Sequence, residues 1–98
     1  MLYFIVNEKS KSGNAKQIWK DIEEVLKVRN VSYQVFVSEY RGHAGKLAGE
    51  ICAMDDDDIC LVAVGGDGTA NEVINGITDF EKVRFGVIPT GSGNDLAR

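Results

Sequence analysis

Ile59-Cys60-Leu61-Val62-Ala63-Val64 runs without interruption into Gly65-Gly66-Asp67-Gly68-Thr69-Ala70-Asn71-Glu72. The apolar run has the length and β-branched content of a strand buried in a parallel sheet. Behind the glycines, Ala70, Val73, Ile74 and Ile77 recur at helical spacing. A strand that turns through glycines into a helix N-terminus offers backbone N–H groups and a positive dipole end to an anion. A phosphate is the anion expected there.

The pattern nearly repeats downstream. Arg84-Phe85-Gly86-Val87-Ile88 reads as a further strand and is followed by Pro89-Thr90-Gly91-Ser92-Gly93-Asn94-Asp95. Leu96-Ala97-Arg98 then begins another helix. Two such turns match successive βα units of one sheet, and ligands of open α/β sheets bind at the carboxyl ends of the strands. Both loops are therefore expected on one rim.

Working outward, Leu2 to Val6 is the first strand and Asn7 to Asn14 a polar loop. Ala15, Ile18, Trp19, Ile22, Val25 and Leu26 trace one face of an amphipathic helix. Val31 to Val37 is the second strand, with Val31, Tyr33, Val35 and Val37 alternating against Ser32, Gln34 and Phe36. Ala44, Leu47, Ala48, Ile51 and Cys52 form the apolar face of a second helix. The third strand is Ile59 to Val64 and the fourth Arg84 to Ile88. This βαβαβαβ order predicts a three-layer α/β/α domain with a parallel sheet, ordered 2-1-3-4, and right-handed crossovers. Residues 1–98 form a single domain with no internal linker.

Composition narrows the function. The 98 residues are 44% hydrophobic and 27% charged, ordinary for a soluble globular domain. A net charge of −4 argues against non-specific binding to nucleic acid or to an anionic membrane. No apolar run approaches the roughly 20 residues of a transmembrane segment. Cys52 and Cys60 read as small buried hydrophobes, so a reduced, cytoplasmic setting is expected.

Each constellation also has a plainer reading. Thr69-Ala70-Asn71-Glu72 fits a capping box, Thr69 the N-cap and Glu72 the third helical residue. That accounts for Thr69 and Glu72 but not for three glycines bracketing an acid; phosphate contact needs close backbone approach, which glycine permits. The loop has neither the Lys-Ser/Thr ending of a Walker A loop nor the third glycine of the Rossmann fingerprint. Pro89–Asp95 also reads as a proline-initiated turn with Ser92 or Asn94 as helix cap. Asn7-Glu8-Lys9-Ser10-Lys11-Ser12-Gly13 leaves the first strand on the glycine-loop rim and is suited to phosphate or adenine, or is a solvated loop. Ser38-Glu39-Tyr40-Arg41-Gly42-His43 leaves the second strand on that rim. His43, the only histidine, reads as a helix-start residue. Asp55-Asp56-Asp57-Asp58 precedes the third strand, which puts it at the other end of the sheet as a solvated turn. A strand spans roughly 20 Å, too far for these acids to serve the glycine loops.

Gly-Gly-Asp-Gly-Thr followed by Asn71-Glu72-Val73, then Pro89-Thr90-Gly91-Ser92-Gly93-Asn94-Asp95, resembles the catalytic domain of the diacylglycerol kinases, a family that includes bacterial lipid kinases and sphingosine kinases. Asn7 with Ser10 to Gly13 is similar to the family's opening Asn-Pro-x-Ser-Gly element, with Glu8 in place of proline. Ser38-Glu39 with Gly42-His43-Ala44 resembles its Thr-Glu…Gly-His-Ala element, with serine for threonine. The resemblance implies an ATP site built from Asn7, Lys9, Ser38, Gly65, Gly66, Asp67, Gly68, Thr69, Asn71, Glu72, Thr90, Gly91 and Ser92. It implies Asp67 as the catalytic base for the substrate hydroxyl, with ATP and Mg²⁺ as cofactors. It implies no metal ligand among these residues.

The expected function is the ATP-binding part of a lipid kinase that moves the ATP γ-phosphoryl group to a lipid hydroxyl such as that of diacylglycerol. The alternatives are an NAD kinase-like nucleotide kinase, which shares Gly-Gly-Asp-Gly-Thr, and a non-catalytic nucleotide-binding module. Because the chain ends where a helix should begin, either that tail frays or this is the front part of a longer protein; the resemblance implies a second, β-rich domain that would hold the lipid substrate. The longer form would work peripherally at a membrane. The isolated chain is expected to pair into homodimers through the face near Ile88 and the Leu96 tail.

Overall fold

The structure, a computed structural model, describes residues 1–8 and 15–90. Its elements are β1 (Leu2–Val6), α1 (Ala15–Val28), β2 (Tyr33–Val37), α2 (His43–Cys52), β3 (Ile59–Gly65), α3 (Asp67–Gly76) and β4 (Val83–Pro89). They form a four-stranded parallel sheet in the order β2-β1-β3-β4, as expected. Leu2 pairs with Tyr33 on one side and Cys60 on the other, and Ile59 pairs with Val83.

This order places the helices. From β1 the chain steps one way to β2, then returns past β1 to β3 and β4. Right-handed crossovers then put α1 on one face and α2 with α3 on the other. The packing has that arrangement. Tyr3, Ile5, Ile59, Leu61, Ala63 and Val83 bury one sheet face under Ala44, Leu47, Ala48, Ile51, Val73 and Ile77 of the α2–α3 side. Phe4, Val6 and Val64 bury the other face under Trp19, with Ile22 and Leu26 of α1 packed around them. The Phe4 ring lies 4.9 Å from that of Trp19 and 6.0 Å from Tyr33, which anchors α1 over the sheet. Alternate residues of β1 and β3 serve opposite cores, so both strands read as unbroken apolar runs.

Where α2 crosses α3, at Gly45 and Gly76, backbone meets backbone. A Cβ on Gly45 would stand 2.9 Å from the backbone oxygen of Glu72, and one on Gly76 would collide with the Gly45 carbonyl. Both glycines are there for close approach.

Several expectations need correction. The second strand begins at Tyr33, not Val31, because α1 closes with Asn30 in the left-handed region (φ 56°). Asn30 N–H donates to the Lys27 carbonyl and Val31 N–H to the Leu26 carbonyl, so helix termination takes the Val31 amide. Val25, expected on the buried face of α1, is 53% exposed, and Val35 and Val37 are exposed because β2 is an edge strand with only α1 partly above it. Cys52 is buried as expected, whereas Cys60 is only half-buried. β3 and β4 run slightly further than expected, to Gly65 and over Val83–Pro89. Pro89 is tolerated because β4 is an edge strand.

The acidic run sits at the end of the sheet opposite the glycine loops. Asp56 accepts from the Asp58 N–H (3.0 Å) and the Tyr3 hydroxyl (3.1 Å). The Asp58 N–H foremost, then the Tyr3 hydroxyl and the Met1 amine, hold the Asp56 carboxyl below its ordinary range against a smaller effect of burial. Burial foremost, then the Asp56 carboxylate, pushes the Tyr3 hydroxyl up.

Replacing Gly76 by alanine should lower stability by roughly 1–3 kcal/mol, because the new methyl meets backbone that cannot rotate away. Gly49→Ala is the control. Its Cβ would lie 3.6 Å from the Gly76 oxygen, an ordinary contact, and alanine improves helix propensity by about 0.5–1 kcal/mol. Urea unfolding of the two variants should move in opposite directions.

Candidate functional site at the switch point

The carboxyl ends of the strands form one rim, and the ladder runs one residue past each strand there. Asn7 N–H donates to the Val64 carbonyl (2.9 Å), Ser38 N–H to Val6 (2.9 Å) and Thr90 N–H to Gly65 (3.0 Å). Asn7, Ser38, Gly65 and Thr90, expected from the sequence to share a site, therefore stand side by side along this rim. Ser38 and Thr90 are buried. Between β1 and β3 the chain's direction of travel reverses, which makes this gap the topological switch point of the sheet. A side-chain hydrogen bond also spans it, from Asn7 Nδ2 to Thr69 Oγ1 at 3.1 Å.

Thr69 is inside α3, not at its start. The N-cap is Gly66, in an extended conformation (φ −84°, ψ −172°) and with no side-chain cap. This rules out the plainer, capping-box reading of Thr69 and Glu72. Thr69 instead turns its side chain under Gly65, where a Cβ would stand 2.6 Å from its hydroxyl. Gly65 is thus a glycine so that Thr69 can be buried and meet Asn7.

Gly66 and Gly68 have no such reason. A Cβ on either would meet nothing within 4 Å, and among the described residues the only glycine with a positive φ is Gly42. Fold and packing allow side chains at both positions. Beside them, the first N–H groups of α3 precede its first intrahelical bond, from Ala70 N–H to the Gly66 carbonyl (3.1 Å). The helix dipole favours negative charge at such an N-terminus, and the glycines leave the approach to its N–H groups clear. Asp67, Gly68, Ala70, Asn71 and Ile74 line an open concavity of about 440 Å³ along the outer face of α3. Among the described residues no group of three His, Cys, Asp or Glu side chains could hold a metal ion.

Glu72 points elsewhere. Its Oε1 accepts from the Gly42 N–H at 3.0 Å, tying α3 to the loop after β2. His43 keeps to a structural role, its Nδ1 accepting from the Glu39 N–H (2.8 Å) and its ring stacked 4.4 Å from Tyr40. Lys9, Gly91 and Ser92 lie outside the described residues, as does Leu96, while Ile88 packs half-buried on the α1 side. Sequence reasoning missed the Glu72–Gly42 bond and the glycine contact of α2 with α3. The spacing Gly45-x-x-x-Gly49, one side of a helix without side chains, was the available signal.

The sequence matches the diacylglycerol kinase catalytic domain family over residues 1–98. The chain belongs to that family. It is 35% identical over 97 residues to the candidate lipid kinase YtlR of Bacillus subtilis (strain 168), covering 98% of this chain and 31% of that protein. It is 33% identical over 99 residues to the mitochondrial acylglycerol kinase of Xenopus laevis, covering 94% of this chain and 22% of that protein. The fold is similar to that of a candidate diacylglycerol kinase from Bacillus anthracis str. Sterne, with a TM-score of 0.73 and 27% identity over 99% of this chain and 32% of that one. The chain thus spans about a third or less of the length of these relatives. Among the described residues no helix is long and apolar enough to cross a membrane.

The glycines of the rim should separate by variant. Gly68→Ala should leave stability unchanged or raise it by about 0.5–1 kcal/mol through helix propensity. Gly65→Ala should lower it by roughly 1–3 kcal/mol by displacing Thr69. Thermal melting of both variants checks the contrast.

Proposed function

We propose that this chain is the ATP-binding part of a lipid kinase that transfers the ATP γ-phosphoryl group to a lipid hydroxyl such as that of diacylglycerol. One observation carries the reading. Gly66 and Gly68 flank the uncapped start of α3 at the switch point, and neither backbone conformation nor packing calls for glycine there. At a helix N-terminus, two missing side chains leave room for an approaching phosphate. Family membership supplies the reaction class, and the names of the relatives supply the lipid acceptor.

In this reading the N–H groups of Asp67, Gly68 and Thr69 bind the phosphates. Asn7 and Ser38 flank them along the rim, Thr90 supports the loop from β4, and Asn71 lies one turn further along α3. Phosphoryl transfer asks mainly for positioning and charge stabilisation. Asp67, exposed at the first turn of α3, accepts the proton of the attacking lipid hydroxyl. Mg²⁺ brought in with the nucleotide would offset the charge of the transferring group, since among the described residues no cluster of acids, His or Cys could hold it. The lipid is held by a further domain of a longer protein, which would act at a membrane surface from the cytoplasm. Pairing of isolated chains into homodimers remains a proposal for sedimentation to test.

Titration calorimetry with Mg²⁺–ATP should show binding to the chain, and Gly66→Val should abolish it while the melting transition persists. Equal affinity of the two proteins rejects the phosphate site. In a complete enzyme carrying this sequence, Asp67→Asn should cut lipid phosphorylation by about 10²–10⁴-fold, the usual range for a general base. Nucleotide affinity should change only a few-fold. Full turnover by a stable Asp67→Asn enzyme rejects the catalytic role.

A further inference from the structure

Helix α2 starts at Gly42, which has no side chain with which to cap it and stands in the left-handed region at φ 89°. In a capping box, an acid at the third helical position reaches back to the N-cap N–H. The third position of α2 is Gly45, which carries no acid. The space its side chain would fill is taken by the backbone of Glu72, whose carbonyl oxygen would lie 2.9 Å from a Gly45 Cβ. From there the Glu72 carboxylate reaches the Gly42 N–H at 3.0 Å.

We propose that Glu72 is the capping-box acid of α2, supplied in trans from α3, and that it is a positioning residue for the loop from Ser38 to His43. The loop is closed from within by Glu39 N–H to His43 Nδ1 (2.8 Å), by His43 N–H to the Tyr40 carbonyl (3.0 Å) and by the Tyr40–His43 stack. Glu72 adds a tie from outside to the helix that carries the glycine loop. One residue thereby touches α2 twice, by its backbone at Gly45 and by its carboxylate at Gly42. The glycine contact fixes how far apart the helices stand, and the carboxylate sets where the loop lies relative to Gly66–Thr69. Ser38, at the root of this loop, and the start of α3 are then held at one separation. Negative charge at the start of α2 also complements its dipole. A carboxylate committed to a backbone N–H in this way acts through the loop and does not touch the phosphates. The link to nucleotide binding rests on the reading proposed above.

The test is amide hydrogen exchange by NMR on the chain with Glu72→Ala and Glu72→Gln, joined to calorimetric titration with Mg²⁺–ATP. Glutamine keeps an acceptor oxygen, so it should hold the Gly42 amide near wild-type protection. Alanine should speed exchange of that amide roughly five- to tenfold, the scale of one net hydrogen bond, while amides in the middle of α2, Leu47 to Ile51, stay protected. ATP affinity should fall several-fold in Glu72→Ala and recover in Glu72→Gln. Unchanged exchange at Gly42 in Glu72→Ala overturns the proposal. So does a Glu72→Gln variant that keeps Gly42 protected yet binds ATP as weakly as Glu72→Ala, since the carboxylate charge would then act on the nucleotide directly and not through the loop. Failure of the wild-type chain to bind ATP would instead sink the nucleotide reading, with the exchange pattern alone deciding the cap.

Discussion

Two helices meeting backbone to backbone set the geometry of this molecule. Gly45 lies against the carbonyl of Glu72, and Gly76 against that of Gly45. Interiors are packed as densely as organic crystals, so a contact with no side chains in it has little room to slide. It places the start of α3, and with it the glycine loop, at a defined height above the sheet. Everything on the glycine-loop rim is referred to that position.

From that contact the remaining features follow in order. With α3 held close to β3, Gly65 must lack a side chain so that Thr69 can bury its own, and Thr69 then receives the Asn7 amide across the gap between β1 and β3. Among the described residues, several glycines differ in what they do. Gly45, Gly65 and Gly76 admit neighbours from within the fold, Gly42 supplies a left-handed turn, and Gly66 and Gly68 leave space facing outward. Sorting them by what a Cβ would meet marks Gly45, Gly65 and Gly76 as architectural, while open space alone, which Gly86 in β4 shares with Gly66 and Gly68, does not mark a ligand site. The same sorting explains why Glu72, within the motif, is turned toward α2.

The two rims of the sheet divide the polar residues. At one end, Asp56 collects the Tyr3 hydroxyl and the Asp58 amide, an arrangement that only stabilises a turn. At the other, backbone groups and small polar side chains gather with only one acid of the motif, Asp67, at the first turn of α3. A helix N-terminus tolerates that acid and attracts anions alike, so charge is arranged by backbone direction more than by side chains. Separation by the length of a strand keeps the four aspartates away from the rim where phosphate is proposed to bind.

The order of strands and helices was legible in the chain because each element carries its own period, and apolar runs such as Ile59–Val64 have few other ways to be buried. The handedness of crossovers then made the sheet order and the common rim of Asn7, Ser38, Gly65 and Thr90 readable as well. The α2 face of Ala44, Leu47, Ala48, Ile51 and Cys52 was read correctly for the same reason. Where helices end was less legible: Val31 looked like strand until its amide proved to close α1, because a capping bond competes with sheet pairing over one or two residues. Local pattern also misassigned Thr69 and Glu72, since a capping box and a mid-helix pair share the same spacing. What only the tertiary structure decided was the partner of each side chain. Glu72 finds Gly42, and Thr69 finds Asn7, through contacts across 30 and 62 residues of chain that no local period encodes.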